Sequence, residues 1–443
     1  MRAVPRYLAA AAWVSLAGAA GIGQAPLRAQ DTIQGGVRIG ITYTPGRRPA
    51  LAVVRVGAGT AVDSAYAMLL RDLDQSDRFE LVRGPVVERG DTTKAAVLIR
   101  VAASRAADLL VVVEAKGRRT EAVAYDVARN ALLHRAEFAD AAAPTGRRGV
   151  HAAADAIVAA ATGQPGIAAT RVLFVRAGRL MRVDADGHSP TATGSAGNPA
   201  LSPAWAPDGR RIAYTAFVPS GQPIVLQELT SGRRAIVPTT EYGLNITPVY
   251  SPDGRRLAFA RGTEAGTDIY LSEVNGLAAG VPQRLTVGRF ADNLSPAWSP
   301  DGSRLAFIST RARTPQLYVM AADGSGQEVL ARFDYGATGT TSAPAWSPDG
   351  QFIAFHREVG GAPQLFVLDV ATRAVRQLTG SGRNEDPSWA PDSRHLVFVS
   401  SRTGTRELWV LDLETGRVRP LTSVGGARLP AWSPRLSAGG SPE

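Results

Sequence analysis

Past residue 170 the apolar residues come in short runs bounded by turn residues. RLAFIST reads as an alternating strand, and QLYVMAADG, QLFVLDVATR and ELWVLDLETG read as the strands that follow it. Short edge strands such as VRQLTG and VRPLTS complete each set. The breaks are Asp-Gly, Thr-Gly and Ser-Gly pairs, the chemistry of tight hairpin turns. Earlier in the chain the pattern differs. LAVVRV (Leu51–Val56) is a continuous apolar run of the buried-strand type, and AVDSAYAMLLRDLDQS puts Ala65, Met68, Leu69 and Leu73 on one helical face. RFELV and ADLLVVVEAKG read as strands, and TEAVAYDVARNALLHRAEF as a hairpin. DTTKAAVLIRVAASRA reads as a helix with Asp91 as its N-cap, and GVHAAADAIVAAATG as a helix stopped by Gly163. These elements predict a small α/β domain with helices on a mixed sheet.

One phrase recurs. SPAWAPDGRRIAY begins at Ser202, TPVYSPDGRRLAF at Thr247, SPAWSPDGSRLAF at Ser295, APAWSPDGQFIAF at Ala343 and DPSWAPDSRHLVF at Asp386. The aspartates Asp208, Asp253, Asp301, Asp349 and Asp392 are spaced by 45, 48, 48 and 43 residues. A period of that size with four strands per unit predicts a β-propeller. Five copies are complete. RVLFVRAGRLMRVDADGHSPTATG (171–194) has strands without the phrase, and LPAWSP, from Leu429, has the phrase without strands. The two halves complement each other, so a sixth blade is predicted to close when the strand near Pro430–Ser433 joins the one begun at Arg171. Closure removes the exposed edges.

Within the phrase, Trp205, Tyr250, Trp298, Trp346, Trp389 and Trp432 are expected to fill the wedges between blades, where flat side chains bury most area. Pro-Asp-Gly supplies a tight turn: proline presets φ, aspartate bonds the backbone ahead, and glycine accepts a positive φ. The first prolines, Pro203, Pro248, Pro296, Pro344 and Pro387, are placed at strand starts. The repeated aspartates are read as structural, because identical copies in successive blades do not converge on one point.

Met1–Ala29 reads as a secretory signal, with Arg2 and Arg6 ahead of the apolar YLAAAAWVSLAGAAGIG and a small-residue cleavage site. The predicted organisation is a signal peptide at 1–29, an α/β domain at 30–164 and a six-bladed propeller at 170–437, with the periplasm as the address. No other stretch is long and apolar enough for stable membrane insertion. The formal charge is +10, and among 49 basic residues only Lys94 and Lys116 are lysines. The cations are scattered, which argues against a nucleic-acid partner. There is no cysteine, so packing must supply the stability that disulfides give many exported proteins. His134, His151, His188, His356 and His395 fall at no metal-ligand spacing, so neither a metal nor a cofactor is predicted. The aspartates of DADG are read as a hairpin turn rather than a calcium site, and VGAGT lacks the third glycine of a dinucleotide loop.

A secretory start, a small α/β domain and a ring of SPAWSPDG phrases together resemble the TolB family, periplasmic components of Tol–Pal systems in Gram-negative envelopes. The order of VRIGITYTPGRRPALAVVRV, LLRDLDQSDRFELV and LPAWSP carries the resemblance over nearly the whole mature chain. The family implies a non-enzymatic adaptor that supports outer-membrane integrity, constriction during division and protein import, and the closed ring is expected to be monomeric. It implies contact with a TolA-like inner-membrane protein through an N-terminal segment, here Val37, Arg38, Ile39, Gly40 and Ile41. It also implies that one propeller mouth holds a Pal-like lipoprotein. Leu244 and Thr247 align with family positions tied to that contact. Asn245, Asn293, Thr341 and Asn384 recur three residues ahead of the first proline, either as partner contacts or as caps of the strand entry; Tyr242, Phe290 and Arg383 lie on the same loops as candidate anchors. A peptide- or sugar-binding propeller outside the Tol system is the rival reading. An enzyme is a weaker rival, since neither the Gly-x-Ser-x-Gly elbow of the peptidases nor a converging ligand set of a lyase is present.

Overall fold

The computed structural model describes residues 47–87, 94–117, 119–139, 143–194, 197–239, 243–288, 290–331 and 341–436. The signal segment 1–29, the strand Val37–Ile41, Asp91 and Tyr242 lie outside the described residues.

The α/β part is built on five strands: β1 (Ala50–Val56), β2 (Glu80–Val87), β3 (Leu109–Lys116), β4 (Arg119–Asp126) and β5 (Ala131–Phe138), ordered β2-β1-β3-β4-β5. β1 runs parallel to β2 and β3, because α1 (Thr60–Gln75) and α2 (Ala95–Ala103) serve as crossovers. β3, β4 and β5 form an antiparallel meander. α1 and α3 (Pro144–Thr162) bury Val62, Leu69, Leu73, Val150 and Ile157 on one face of the sheet, and α2 buries Leu98 and Ile99 on the other. Gly163 ends α3 with φ 73°, a left-handed cap that glycine adopts without strain. The cap of α2 corrects the sequence reading: Lys94, not Asp91, is its N-cap, and it makes no side-chain capping bond.

Six further sheets form the propeller. Blades 1 to 5 open with the inner strands Ala200–Trp205, Asn245–Tyr250, Asn293–Trp298, Thr341–Trp346 and Asn384–Trp389. Blade 6 takes its inner strand, Ala427–Trp432, from the far end of the chain and pairs it antiparallel to Arg171–Arg176. The ring closes as the repeat count requires. Blade packing repeats as the sequence does. Phe174, Phe259, Phe307, Phe355 and Phe398 occupy the second strands of blades 6, 2, 3, 4 and 5 and are 0% exposed. Each such burial contributes ~1.5–3 kcal/mol.

The aromatics of the phrase fill the wedges as expected. Tyr250 packs with Ile224, Leu226 and Phe259 between blades 1 and 2, and Trp432 with Val172, Val397 and Leu408 between blades 5 and 6. Trp205, Trp298 and Trp389 each donate an indole N–H to the preceding blade's inner strand, at Ala431, Val249 and Ala345. Trp346 instead donates to Gly350 O of its own turn. The arginine after the turn covers the next blade's aromatic: Arg211 lies over Tyr250, Arg256 over Trp298 and Arg304 over Trp346, at 5.9, 4.6 and 5.1 Å.

The aspartates of the phrase make turns, as read. Asp301 accepts from the Ser299 hydroxyl at 2.5 Å and the Ser303 amide at 3.0 Å, bonds that pull its carboxyl down to about 2. The turns also interlock. A Cβ on Gly254, whose φ is 69°, would stand 3.1 Å from Pro207 of the preceding blade.

Candidate functional site

The inner strands line a central channel of about 410 Å³. Their prolines correct the sequence reading. Pro203, Pro248, Pro296, Pro344, Pro387 and Pro430 lie inside the strands, not at their starts. The residue ahead of each proline is left-handed: Ser202, Thr247, Ser295, Ala343, Asp386 and Leu429 have φ between 49° and 54°. Non-glycine residues rarely adopt that conformation, and a following proline disfavours helical backbone further. All six strands show a register shift at this point. The bulge spares the ladder the donor that proline lacks, since the channel side of an inner strand has no neighbouring strand.

Each inner strand runs from an entry end to the Pro-Asp-Gly turn end, and the two ends give the ring two different mouths. The α/β domain occupies the turn end. Arg394 Nη2 of blade 5 donates to Asp77 O at 2.8 Å, Arg417 Nη2 reaches Asp74 Oδ2 at 2.7 Å, and Arg147 Nη2 of α3 donates to Asp186 Oδ2 of blade 6 at 2.8 Å. The entry mouth is on the opposite side, framed by the loops ahead of the inner strands and by the hairpins between second and third strands.

The polar set predicted for this mouth is not on its loops. Asn245, Asn293, Thr341 and Asn384 are the first residues of their strands and are 0–1% exposed. The side chains of Asn245, Asn293 and Asn384 bond groups around the strand entry, whereas Thr341 makes no side-chain bond. Asn293 Nδ2 donates to Asp268 Oδ1 at 2.9 Å, and its Oδ1 accepts from Arg311 Nη2 at 2.9 Å. Arg311 also bonds Ser309 Oγ and lies over Phe307 and Tyr318. Blade 5 repeats the arrangement. Asn384 Nδ2 donates to Gln364 Oε1, its Oδ1 accepts from Arg402 Nη2, and Arg402 lies over Phe398 and Trp409. The signal was present in the sequence as Ser-Thr-Arg (309–311) and Ser-Ser-Arg (400–402), which the sequence reading did not single out. Asn245 Nδ2 donates to Gln222 O and Gly243 O, while its Oδ1 and the hydroxyl of Thr341 are buried without partners.

What the entry mouth does expose is apolar. Phe290 is 96% exposed and is held left-handed at φ 58°, its amide donating to Ala265 O of the adjacent hairpin at 3.0 Å. Leu244 is 41% exposed and sits on Gly262, at the base of the same hairpin. Val287 is exposed on the Phe290 loop. Arg383 bonds Glu385 and Gly361 O on the blade 5 side. Thr247 lines the channel with its hydroxyl buried and unpartnered.

Asp386 is the one acid among the described residues that line the channel. Its backbone N–H donates to His356 Nδ1 at 3.1 Å, which makes that nitrogen an acceptor. Burial pushes the His356 ring below its ordinary value and the Asp386 carboxyl above its own. Both shifts disfavour the charged forms.

Two acid–histidine groups bring donor atoms within 4.8 Å of one another: Asp77, His395 and Asp412, and His151, Asp184 and Asp186. Guanidinium groups already neutralise the carboxylates. Arg394 pairs with Asp412 at 2.5 Å, Arg417 with Asp77 at 3.0 Å, Arg171 with Asp184 at 3.1 Å and Arg147 with Asp186 at 2.8 Å. Among the described residues no helix is long and apolar enough to cross a membrane.

The family model described as the TolB beta propeller domain matches residues 158–335 and 331–439. The chain belongs to this family. The Tol-Pal system protein TolB of Methylococcus capsulatus is 32% identical over 238 residues, 51% of this chain and 54% of that protein. The same-named protein of Xanthomonas campestris pv. campestris is 32% identical over 196 residues, 41% of this chain and 44% of that protein. The chain thus spans about half the length of the curated relatives it matches. The crystal structure of TolB from Acinetobacter baumannii is similar at a TM-score of 0.73 and 25% identity, over 89% of this chain and 98% of that one. That likeness spans both the α/β part and the propeller of this chain.

Proposed function

We propose that this protein is a non-enzymatic periplasmic adaptor of a Tol–Pal system, exported by a cleaved signal at 1–29. Its entry mouth holds a Pal-like lipoprotein, and its N-terminal segment Val37–Ile41 contacts a TolA-like inner-membrane protein. The observation that supports this best is the asymmetry of the ring. The α/β domain covers the turn end of blades 5 and 6, while the entry mouth presents Phe290 and Leu244 to solvent. An exposed aromatic on a backbone-anchored loop suits an interface hot spot. Asn245, Asn293 and Asn384 serve that surface indirectly, by holding the strand entries from which the loops project, and Thr341 opens the corresponding strand of blade 4. Thr247, at the channel wall, lies within reach of a segment that enters the mouth.

The test is titration of the full chain with the Pal-like lipoprotein of the same organism. Stoichiometric binding that is lost in the Phe290→Ala, Leu244→Ala double variant is expected. Undiminished binding by the double variant would move the site elsewhere, and no binding by the wild type would favour a peptide- or sugar-binding propeller outside the Tol system. Removal of residues 30–41 is expected to weaken TolA binding and leave thermal unfolding of the remainder unchanged. Full TolA binding by that truncated chain contradicts the role given to Val37–Ile41.

A further inference from the structure

The junction between the α/β domain and the propeller is built from charge. Among the described residues, no apolar cluster joins a side chain of α1, α2 or α3 to a side chain of a blade. The contacts that cross it are ion pairs and hydrogen bonds, so docking depends on which groups are charged.

His395 stands at the centre and is 0% exposed. Its Nδ1 lies 2.7 Å from Asp392 Oδ2, in the turn of its own blade. Its Nε2 lies 3.3 Å from Asp77 Oδ2, just past α1 in the α/β domain. A neutral imidazole carries one N–H and can donate to one carboxylate only; the imidazolium donates to both. The geometry is therefore complete only with the proton on. Without it, one ring nitrogen turns a lone pair toward a carboxylate, either the propeller's or the α/β domain's.

We propose that His395 is a proton-operated latch: protonated, it ties Asp77 of the α/β domain to Asp392 of the propeller, and deprotonated it releases one of them. His151 on α3 reinforces the latch from the other domain. Its Nδ1 is 2.7 Å from Asp72 Oδ2, and its charge faces Asp184 and Asp186 of blade 6.

The surrounding charges favour the protonated form. Around His395 stand Asp392, Asp77 and Asp412, with Arg394 on Asp412, Arg417 on Asp77 and Arg78 3.7 Å from Asp392. Around His151 stand Asp72, Asp184 and Asp186, with Arg147 3.4 Å from Nε2 and Arg71 on Asp186. Arg419 adds buried positive charge near Asp77, Asp74 and Asp72, and its Nε and Nη1 have no partner. Burial works against charge on both histidines, but the carboxylates outweigh it, Asp392 foremost for His395 and Asp72 for His151, so both rings hold their protons above the ordinary histidine value. A raised value gives a docking contribution that is complete below about pH 6.5 and is lost as pH rises through the raised value. Burial pushes the carboxyl of Asp155, which accepts from the linker amides of Ala168 and Ala169, up to about 6, on the acid side of that window.

Hydrogen exchange of the full chain between about pH 6 and about pH 9 tests this in the range where a raised histidine titrates. After correction for intrinsic rates, exchange over Asp72–Phe79 is expected to rise at least ~tenfold relative to β3, the factor that one unit of pKa difference commands. The radius of gyration from small-angle scattering should rise in the same range. The rise should shrink in His395→Gln, which donates but does not titrate, to the part that His151 carries through Asp72. A flat wild-type ratio, or the same rise in His395→Gln, overturns the latch. NMR titration of the His395 ring in the wild-type chain gives a reading that needs no variant. Its midpoint must coincide with the exchange step, and a separation of more than about one unit overturns the assignment.

Discussion

The indole N–H of Trp432 donates to the hydroxyl of Thr170 across 2.8 Å, joining residues 262 apart. The same strand end is tied twice more, by the Arg171 amide to Ser433 Oγ at 3.0 Å and by the Ser433 amide to Arg171 O at 2.8 Å. Together they close a ring whose blades otherwise touch only their neighbours. Closure is thus concentrated in one strand and one wedge aromatic. Trp432→Ala leaves a cavity between blades 5 and 6 and is expected to lower the unfolding free energy by ~3–5 kcal/mol. Urea denaturation followed by circular dichroism measures it, and a loss below about 1 kcal/mol would mean that the closing wedge carries no special burden.

The Asn293–Arg311 pair gives a test of cooperativity. Asn293 is buried, so removing either partner strands the other's polar atoms at a cost of ~1–3 kcal/mol. Asn293→Ala and Arg311→Ala should each destabilise by that amount, and the double variant should fall short of the sum by more than ~0.5 kcal/mol. Additive losses in denaturant titrations would separate the two residues.

Phe290 should behave in the opposite way. Its side chain is almost wholly exposed, so Phe290→Ala should change stability by less than ~0.5 kcal/mol. Affinity for the Pal-like lipoprotein, measured by calorimetry, should fall at least ~tenfold if Phe290 is an anchor. Unchanged affinity with unchanged stability removes it from the interface.

Asp155 carries a pH signature. Burial pushes its carboxyl up to about 6, against the two linker amides it accepts. A raised value means that the folded chain binds this proton more tightly than the unfolded chain. The contribution is fully present below about pH 4 and is lost as pH rises through about 6. The stability of the wild type relative to Asp155→Asn should therefore grow as pH falls from about 6.5 to about 4. A difference that stays constant over that range contradicts the buried, proton-binding carboxyl.

Local chemistry made much of this architecture readable. The period of the Pro-Asp-Gly phrase, the split sixth copy and the strand and helix patterns each reflect interactions a few residues long, or a repeat that states its own neighbours. The wedge aromatics were legible for that reason: each copy of the phrase meets the next copy in the same way, as Arg256 over Trp298 repeats in Arg304 over Trp346.

Placement of the polar residues was another matter. Asn293 and Asn384 look like loop residues because the residues around them are polar. Their burial depends on Arg311 and Arg402, each 18 positions away and folded back by the second strand. The sequence by itself determined a closed ring of six blades with an α/β domain ahead of it, since these follow from a repeat and from period. Only the tertiary structure decided which mouth the α/β domain covers, and that His151 meets Asp72 and His395 meets Asp77, 79 and 318 positions apart. The first pairing arises where α3 packs on α1 and the second where the α/β domain meets blade 5, and in neither does charge complementarity have a period for a sequence to display.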